Sequence, residues 1–165
     1  MKHFVLAVVL FFGGLGLHPA CAQQSKVGDW IIEKRAQDTH CNASRGYKDK
    51  DDENRDYVIV ITYSEKAIVI VMIYDGWEWD KVGEILQADF GTDDAEIMRK
   101  AKWEVMDKTT VRGIFEYDAS IMDRLSKAKR LTLDFLDDDE DSIEMQTPRA
   151  GEVLGALKFC EENRK

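Results

Sequence analysis

Histidine is scarce in this chain. Of its three histidines, His3 and His18 lie within the first 22 residues, and only His40 lies beyond them. A zinc site built from several histidines is therefore excluded once that leader is removed. Common catalytic signatures are also missing, because no G-x-S-x-G elbow, no P-loop and no G-x-G-x-x-G following a strand occurs. The sequence predicts no catalytic residues, no metal site and no cofactor, and thus no enzyme.

Long apolar runs are almost as rare. One uncharged run of about fourteen residues, from Phe4 to Leu17, follows the positive Lys2. A transmembrane helix needs about 20 apolar residues, so this run is too short to span a bilayer, and no later segment is longer. The length of this run and the basic residue before it match the start of a secretory signal peptide. We expect an exported chain with no stable membrane span.

Two cleavage positions are open. A lipoprotein cut before Cys21 would require leucine three positions upstream, where His18 stands, followed by Pro19. The small-x-small frame of Ala20 and Ala22 instead favours ordinary cleavage after Ala22. We predict a signal peptide over 1–22 and a single globular domain over 23–165, without repeats or linkers, located in the periplasm or secreted.

Positive charge is in deficit, since the formal net charge is -9. Nucleic acids and anionic lipid surfaces select basic proteins, so neither is an expected partner. The acidity leaves an unknown protein partner that carries positive charge, a metal ion, or simple solubility as explanations.

Cleavage after Ala22 leaves two cysteines, Cys41 and Cys160. An even pair in an oxidising compartment predicts a disulfide. It would close a loop of about 120 residues, for which the chain-entropy estimate is about 4–5 kcal/mol as an upper value. The alternative is a redox pair, although redox cysteines usually lie close together in sequence. His40 beside Cys41 could form a Cys-His nucleophile pair, but neighbours in a strand point to opposite faces, which is a poor geometry for it. We therefore interpret His40 as an exposed turn histidine beside a bridged cysteine.

The strongest structural signals are two runs, Tyr57 to Tyr63 and Ala67 to Tyr74, rich in β-branched and aromatic residues. Both are apolar on both faces, which predicts a central antiparallel pair covered on each side. The following Asp75-Gly76 predicts a two-residue hairpin that places Tyr74 opposite Trp77 and Met72 opposite Trp79. Tyr74, Trp77 and Trp79 would then share one face, either as core or as an exposed binding face.

The remaining chain predicts further strands and two helices. The segment from Ala95 to Trp103 fits either a helix or a strand. One helix is expected from Ser120, which heads a capping-box-like sequence, and a second from Thr147-Pro148. In the second helix Gly151 and Gly155 suggest close packing against the sheet, and the predicted buried stripe is Ala150, Val153, Leu154, Leu157 and Cys160. The fold class is α+β, mainly antiparallel β, as a sandwich or partly open barrel with two packing helices, one of them C-terminal.

Acidic residues crowd Asp137 to Asp141. The alternation of Asp137, Asp139 and Asp141 imitates the start of a calcium-binding loop. The sixth and twelfth positions, however, are Ser142 and Pro148 instead of glycine and glutamate. We interpret the segment as a solvated hairpin tip.

The order of the last elements resembles a known family. The helix "SIMDRLSKAKRL", the strands "LTLDF" and "SIEMQ" and the helix "AGEVLGALKFC", together with Gly28-Asp29-Trp30 near the start, are similar to the invasion-associated locus B family and related exported proteins of Gram-negative bacteria. The resemblance covers about the last quarter of the chain and that short motif. It implies a periplasmic or surface location and a role in host interaction, and it carries over no site residue.

We expect a non-enzymatic envelope protein of binding or accessory type. The alternative is an acidic inhibitor or immunity-type protein that covers a cationic enzyme such as a lysozyme-like hydrolase. A hydrolase that uses surface carboxylates is a third hypothesis, although no motif singles out its residues.

Overall fold

The computed structural model of the protein describes residues 23–35, 37–50, 52–136 and 142–163. The expected signal peptide and the acidic tip at 137–141 lie outside the described residues. Within them the chain forms ten strands and two helices. The elements are β1 (Gln23–Val27), β2 (Trp30–Lys34), β3 (Asn42–Asp49), β4 (Arg55–Tyr63), β5 (Ala67–Tyr74), β6 (Ile85–Thr92), β7 (Glu96–Asp107), β8 (Thr110–Glu116), α1 (Ala119–Lys127), β9 (Arg130–Phe135), β10 (Ile143–Gln146) and α2 (Ala150–Glu162).

The ten described strands form one open sheet in the order β1-β2-β3-β4-β5-β8-β7-β6-β9-β10. Every neighbouring pair is antiparallel. The predicted class, α+β with mainly antiparallel β and a C-terminal helix, is confirmed. The strands form a continuous sheet and not two separate ones.

The core lies on one face of this sheet, which we call the inner face. In β4 and β5 every second residue is fully buried, as Ile59, Ile61, Ile68 and Ile70 show. The intervening residues are only half-buried. The two strands are therefore central, but the prediction that both of their faces are covered is wrong for the described residues, because α1 and α2 pack on the inner face.

Gly113 shows how tightly the inner face is filled. A Cβ at this position would lie 2.6 Å from the ring of Phe115 and 3.0 Å from that of Trp103. The two rings meet at 5.6 Å and 69°, and Phe90 stacks on Phe115 at 5.5 Å. Only a residue without a side chain leaves room for these aromatic rings on β6, β7 and β8.

The hairpin expected at Asp75-Gly76 is wrong. The chain turns there, with Trp77 N–H donating to the Tyr74 carbonyl at 3.2 Å, but no strand follows. β5 instead pairs with β8 over seven residues, from Ala67–Glu116 to Ile73–Thr110. This pairing places apolar partners opposite the inward residues of β5, so burial outweighs the local turn preference.

The segment from Ala95 to Trp103, which fitted either a helix or a strand, lies almost entirely in β7. This strand runs from Glu96 to Asp107. Its buried residues Ala101, Trp103 and Val105 alternate with exposed or half-exposed ones, which is the period of a strand and not of a helix. The helical alternative for Ala95 to Trp103 is therefore excluded.

Both helices begin at other residues than predicted. Asp118, not Ser120, caps α1, and its carboxylate accepts the Ser120 N–H at 2.6 Å. Thr147 does not cap α2 but donates to the Ala128 carbonyl at 3.3 Å, and the helix follows Arg149, whose φ is 62°. No helix in the described part of the chain is long and apolar enough to cross a bilayer.

The buried stripe of α2 is confirmed at all five predicted positions: Ala150, Val153, Leu154, Leu157 and Cys160. The interpretation of the two glycines was wrong. A Cβ at Gly151 would lie 3.0 Å from the Ser126 carbonyl oxygen, so Gly151 permits close approach of α1 and not of the sheet. Gly155 has open space around it.

Side chains of β3 contact the backbone of β10 across the inner face. Arg45 Nη1 donates to the Gln146 carbonyl at 2.9 Å, and the Gln146 N–H donates to the Tyr47 hydroxyl at 2.9 Å. Backbone groups of a terminal strand are thus satisfied by side chains, which holds the curled sheet together without another strand pair.

Candidate functional site

A pocket of about 430 Å³ opens where the end of α2 meets two turns of the sheet. We call it the disulfide pocket, because the Cys41–Cys160 bridge adjoins it. Three segments form it: the turn before β3, the β4–β5 turn and the last turn of α2. Its lining residues are His40, Tyr63, Ser64, Glu65, Lys66, Glu161 and Glu162.

The disulfide brings two of these segments together. Cys41 and Cys160 are bonded, with Cα atoms 6.1 Å apart and a sequence separation of 119. The bridge joins the residue before β3 to the buried stripe of α2, so the next residue of the helix, Glu161, is held beside His40. The cysteine pairing expected from the sequence is thus present in the structure, and both residues are buried.

The β4–β5 turn forms the opposite wall. Ser64 Oγ accepts the N–H groups of Lys66 and Ala67 at 3.3 and 3.1 Å and lies 3.3 Å from the Ala67 carbonyl. Such contacts fix a turn. They commit the Ser64 hydroxyl to the backbone, which does not suit a nucleophile that must be activated by a neighbouring base.

Glu161 is the most enclosed acid of the pocket, with 9% of its side chain exposed. Its Oε1 lies 2.6 Å from His40 Nδ1, and its Oε2 accepts the Cys41 N–H at 3.0 Å. The expectation of an exposed turn histidine is therefore wrong, since the His40 side chain is 33% exposed and lies within hydrogen-bond distance of Glu161. This contact links residues 121 apart and could not be read from sequence neighbours.

The electrostatic character of the pocket is acidic. Burial raises the pKa of the Tyr63 hydroxyl, and the neighbouring Tyr117, followed by the charges of Glu162, Glu65 and Glu161, raises it further. Glu65 is exposed, and Glu162 has 61% of its side chain exposed. The pocket therefore offers carboxylates to an incoming positive group, with Lys66 as the cation on its rim.

The three residues of the hypothesised binding face lie at the other end of the sheet. Their rings touch: Tyr74 and Trp77 are 5.6 Å apart at 88°, and Trp77 and Trp79 are 5.6 Å apart at 46°. Trp77 is 1% exposed, whereas Tyr74 and Trp79 are half-buried. Phe135 of β9 covers both indoles at 5.8 and 5.2 Å, so only parts of Tyr74 and Trp79 reach the surface.

Asp52 forms hydrogen bonds with two tyrosines at this end of the sheet. Its Oδ2 accepts hydrogen bonds from the hydroxyls of Tyr57 at 2.8 Å and Tyr74 at 2.7 Å. These bonds, that of Tyr74 first, and the charge of Arg55 lower the pKa of Asp52. Burial, followed by the Asp52 hydrogen bond, raises the pKa of Tyr57 and of Tyr74. These hydrogen bonds link the β3–β4 turn to β5, so the role of Asp52 is to stabilise the fold.

Replacing Asp52 by asparagine should destabilise the protein by about 1 kcal/mol at neutral pH, a value reduced for the partial exposure of the carboxylate. Because the folded-state pKa is lowered, the stabilisation is complete above the ordinary aspartate pKa of about 3.9 and is lost as pH falls through the folded value. Urea unfolding at neutral pH and at about pH 2 measures both limits. The exposed Asp94→Asn variant is the control, and equal losses in the two variants at neutral pH would contradict the role of Asp52.

No group of three or more acidic, histidine or cysteine side chains suited to hold a metal ion occurs among the residues that the structure describes. The sequence matches no family model, and neither the curated proteins nor the solved structures contain a match to it.

Proposed function

We propose that this chain is an exported, non-enzymatic binding protein of the bacterial envelope, periplasmic or secreted, which receives a positively charged group of a protein partner in the disulfide pocket. The observation that supports the proposal is the pair of exposed carboxylates, Glu65 and Glu162, at the rim of this concave surface. Glu161 is enclosed beside the bridge, where its two oxygens contact His40 and the Cys41 N–H, and it holds the α2 wall of the pocket in place.

The disulfide supports the location. Stable disulfides form in oxidising compartments and are rare in the cytosol of most organisms. A bridge that closes most of the domain, next to the signal-like start of the sequence, is typical of an exported protein.

Rigidity supports the binding role. A site on braced elements loses little conformational freedom when a partner binds, because its walls are already ordered. The disulfide fixes one wall and the Ser64 hydrogen bonds fix the other. A cationic side chain entering between them meets Glu65 and Glu162 on walls whose backbone is already ordered.

Replacing Glu65 and Glu162 together by glutamine should weaken binding of a cationic test protein, egg-white-type lysozyme, roughly 3- to 10-fold at low salt. Both residues lie on the rim, so the fold should be retained. The matched control is Glu53→Gln with Glu78→Gln, which removes the same charge at the opposite end of the sheet. Immobilised lysozyme and surface plasmon resonance at low and high salt give the comparison.

The control variant should lose no more than about 2-fold, because its charges act only at long range. Wild-type binding should fall steeply as salt increases. Equal losses in the two variants, or no salt-sensitive binding of any cationic envelope hydrolase, would contradict the proposal.

A second candidate is an inhibitor of a cationic enzyme. The net charge of -9 favours it, because acidic inhibitors are attracted to basic enzymes at long range. The same experiment separates the two candidates when turnover is followed. An enzyme that is bound and inactive supports the inhibitor, and one that is bound and fully active supports the plain binding role.

A further inference from the structure

The sheet opens between β7 and β8. Their pairing runs from Asp107–Thr110 to Trp103–Gly113. Beyond that point the stretch Glu96–Lys102 of β7 pairs with β6, and the stretch Ile114–Glu116 of β8 pairs with β5. Among the described residues no pair joins these two stretches to each other. We call the opening between them the split, and the two stretches its lips.

A cavity of about 480 Å³ lies in the split. Its lining includes Ala101 and Phe115, whose buried side chains point to the inner face and close the split on that side, and Ile121 of α1. A residue of an extended strand fills about 160 Å³, the product of a rise of about 3.4 Å, a strand spacing of about 4.8 Å and a sheet spacing of about 10 Å. The cavity therefore has room for about three extended residues.

The β8 lip presents main-chain hydrogen-bonding groups to the split. The Tyr117 N–H donates to the Lys66 carbonyl, on the side of β5. Because the main-chain groups of successive strand residues point to alternate sides, those of Ile114 and Glu116 point away from β5 and into the split. Within the described part of the chain Glu116 has no strand residue opposite it on that side. An open edge of this kind is a template for one more strand.

The two lips carry opposite charges. Lys100 and Lys102 are exposed on the β7 lip, whereas Glu116 and Asp118 are exposed on the side of β8, and all four line the cavity. Lys100, Lys102 and Glu116 form no ion pair with any other residue that the structure describes. A peptide segment with one acidic and one basic side chain complements both lips. An amphiphile with a single charged head group complements one lip and leaves the main-chain groups of β8 unpaired.

We propose that the split binds an extended segment of a protein partner, about three or four residues long, which adds as a strand to the free edge of β8. Its apolar side chains lie over Ala101 and Phe115, and its charged side chains lie between the lips. The inference goes beyond the proposed function, because the described lining residues of the split and of the disulfide pocket do not overlap. The two sites adjoin, since the rings of Tyr63 and Tyr117 are 5.5 Å apart, so one partner can occupy both.

A titration with the peptide acetyl-Val-Glu-Val-Lys-Val-amide tests the inference. Its valines alternate with one acid and one base, and its net charge is zero. Nuclear magnetic resonance of the purified, disulfide-bonded protein should show saturable shifts of the Ile114 and Glu116 amide signals. Exchange of the Glu116 amide hydrogen with solvent should slow at least about 10-fold at saturation, because the strand pairs with it. The same peptide with every residue N-methylated lacks N–H donors and should bind at least about 10-fold more weakly.

Replacing Lys100 and Lys102 together by glutamate should weaken binding of the peptide roughly 5-fold or more, because both lips then carry the same charge. The matched control is Lys26→Glu with Lys108→Glu, two exposed lysines outside the split, which should change the affinity by no more than about 2-fold. Circular dichroism checks the fold of both variants. If the first variant does not fold, Lys102→Gln takes its place and should weaken binding by a smaller factor.

The Glu65→Gln, Glu162→Gln variant separates this inference from the proposed function. It should bind the peptide within about 2-fold of the wild type, because neither glutamate lines the split. Decanoate, an amphiphile with one carboxylate, is the comparison ligand. The inference is overturned by a peptide that does not bind saturably, by an N-methylated peptide that binds equally well, or by decanoate shifting the same signals at lower concentration than the peptide.

Discussion

Replacing Cys41 and Cys160 together by alanine should lower the free energy of unfolding by about 3–4 kcal/mol and the melting temperature by roughly 10 °C. The two residues lie 119 apart in sequence, so the bridge closes most of the domain. The chain-entropy estimate for such a loop is about 4–5 kcal/mol. We expect less, because unfolded chains retain some structure and measured values usually fall short.

Thermal unfolding followed by circular dichroism, with and without reductant, measures this effect. The wild type in reductant should melt close to the double variant. Cys41→Ala alone should lose nearly as much as both replacements, since removal of either sulfur opens the same loop. A double variant that melts within about two degrees of the oxidised wild type would show that the bridge contributes little.

The bridge also bears on function. Cys41 donates its N–H to Glu161, and Cys160 directly precedes that residue. Loss of the bridge therefore loosens the α2 wall of the disulfide pocket, on which the proposed binding role depends, even under conditions where the domain remains folded.

Strong periodic patterns allowed the elements to be predicted from sequence. The stripe of α2 follows the helical repeat, and the two valine- and isoleucine-rich runs are β4 and β5. These signals are local, because one face of the element is buried whatever lies opposite it. The Cys41–Cys160 pairing was equally accessible, since removal of the expected leader would leave only these two cysteines.

Long-range pairing could not be predicted in the same way. β5 lies beside β8, although Asp75-Gly76 favours a local hairpin. The turn signal describes four residues, whereas β5 pairs with β8 over seven residues and contributes to the main core. The strand predicted after Gly76 does not form, because β8 takes the position beside β5.

The candidate site also depends on long-range contacts that local sequence patterns do not reveal. His40 and the two terminal glutamates of α2 are unremarkable in sequence, and the β4–β5 turn looks like an ordinary connection. Only the fold brings these three segments together, through a contact that spans 121 residues. The one sequence signal that pointed to the site was Cys41, because its bridge predicts that the residues on either side of both cysteines are neighbours.

Trp77→Ala should cost about 3–5 kcal/mol of stability, which is the usual loss for a large aromatic residue deleted from a core. The indole is 1% exposed although it lies outside any strand or helix. It packs against Tyr74, Trp79 and Phe135 at centroid distances of 5.6, 5.6 and 5.8 Å. Truncation would leave a cavity that these rings cannot all close, and each lost aromatic contact adds to the cost.

Urea unfolding followed by far-ultraviolet circular dichroism gives the free energies without relying on tryptophan fluorescence. Trp79→Ala is the control, because Trp79 is half-buried and should cost less, about 1–2 kcal/mol. Trp77→Phe should recover much of the loss, since a smaller ring still fills part of the space. If Trp77→Ala lowers the free energy of unfolding by less than Trp79→Ala does, the buried indole of Trp77 is not what anchors the segment after β5 to the core.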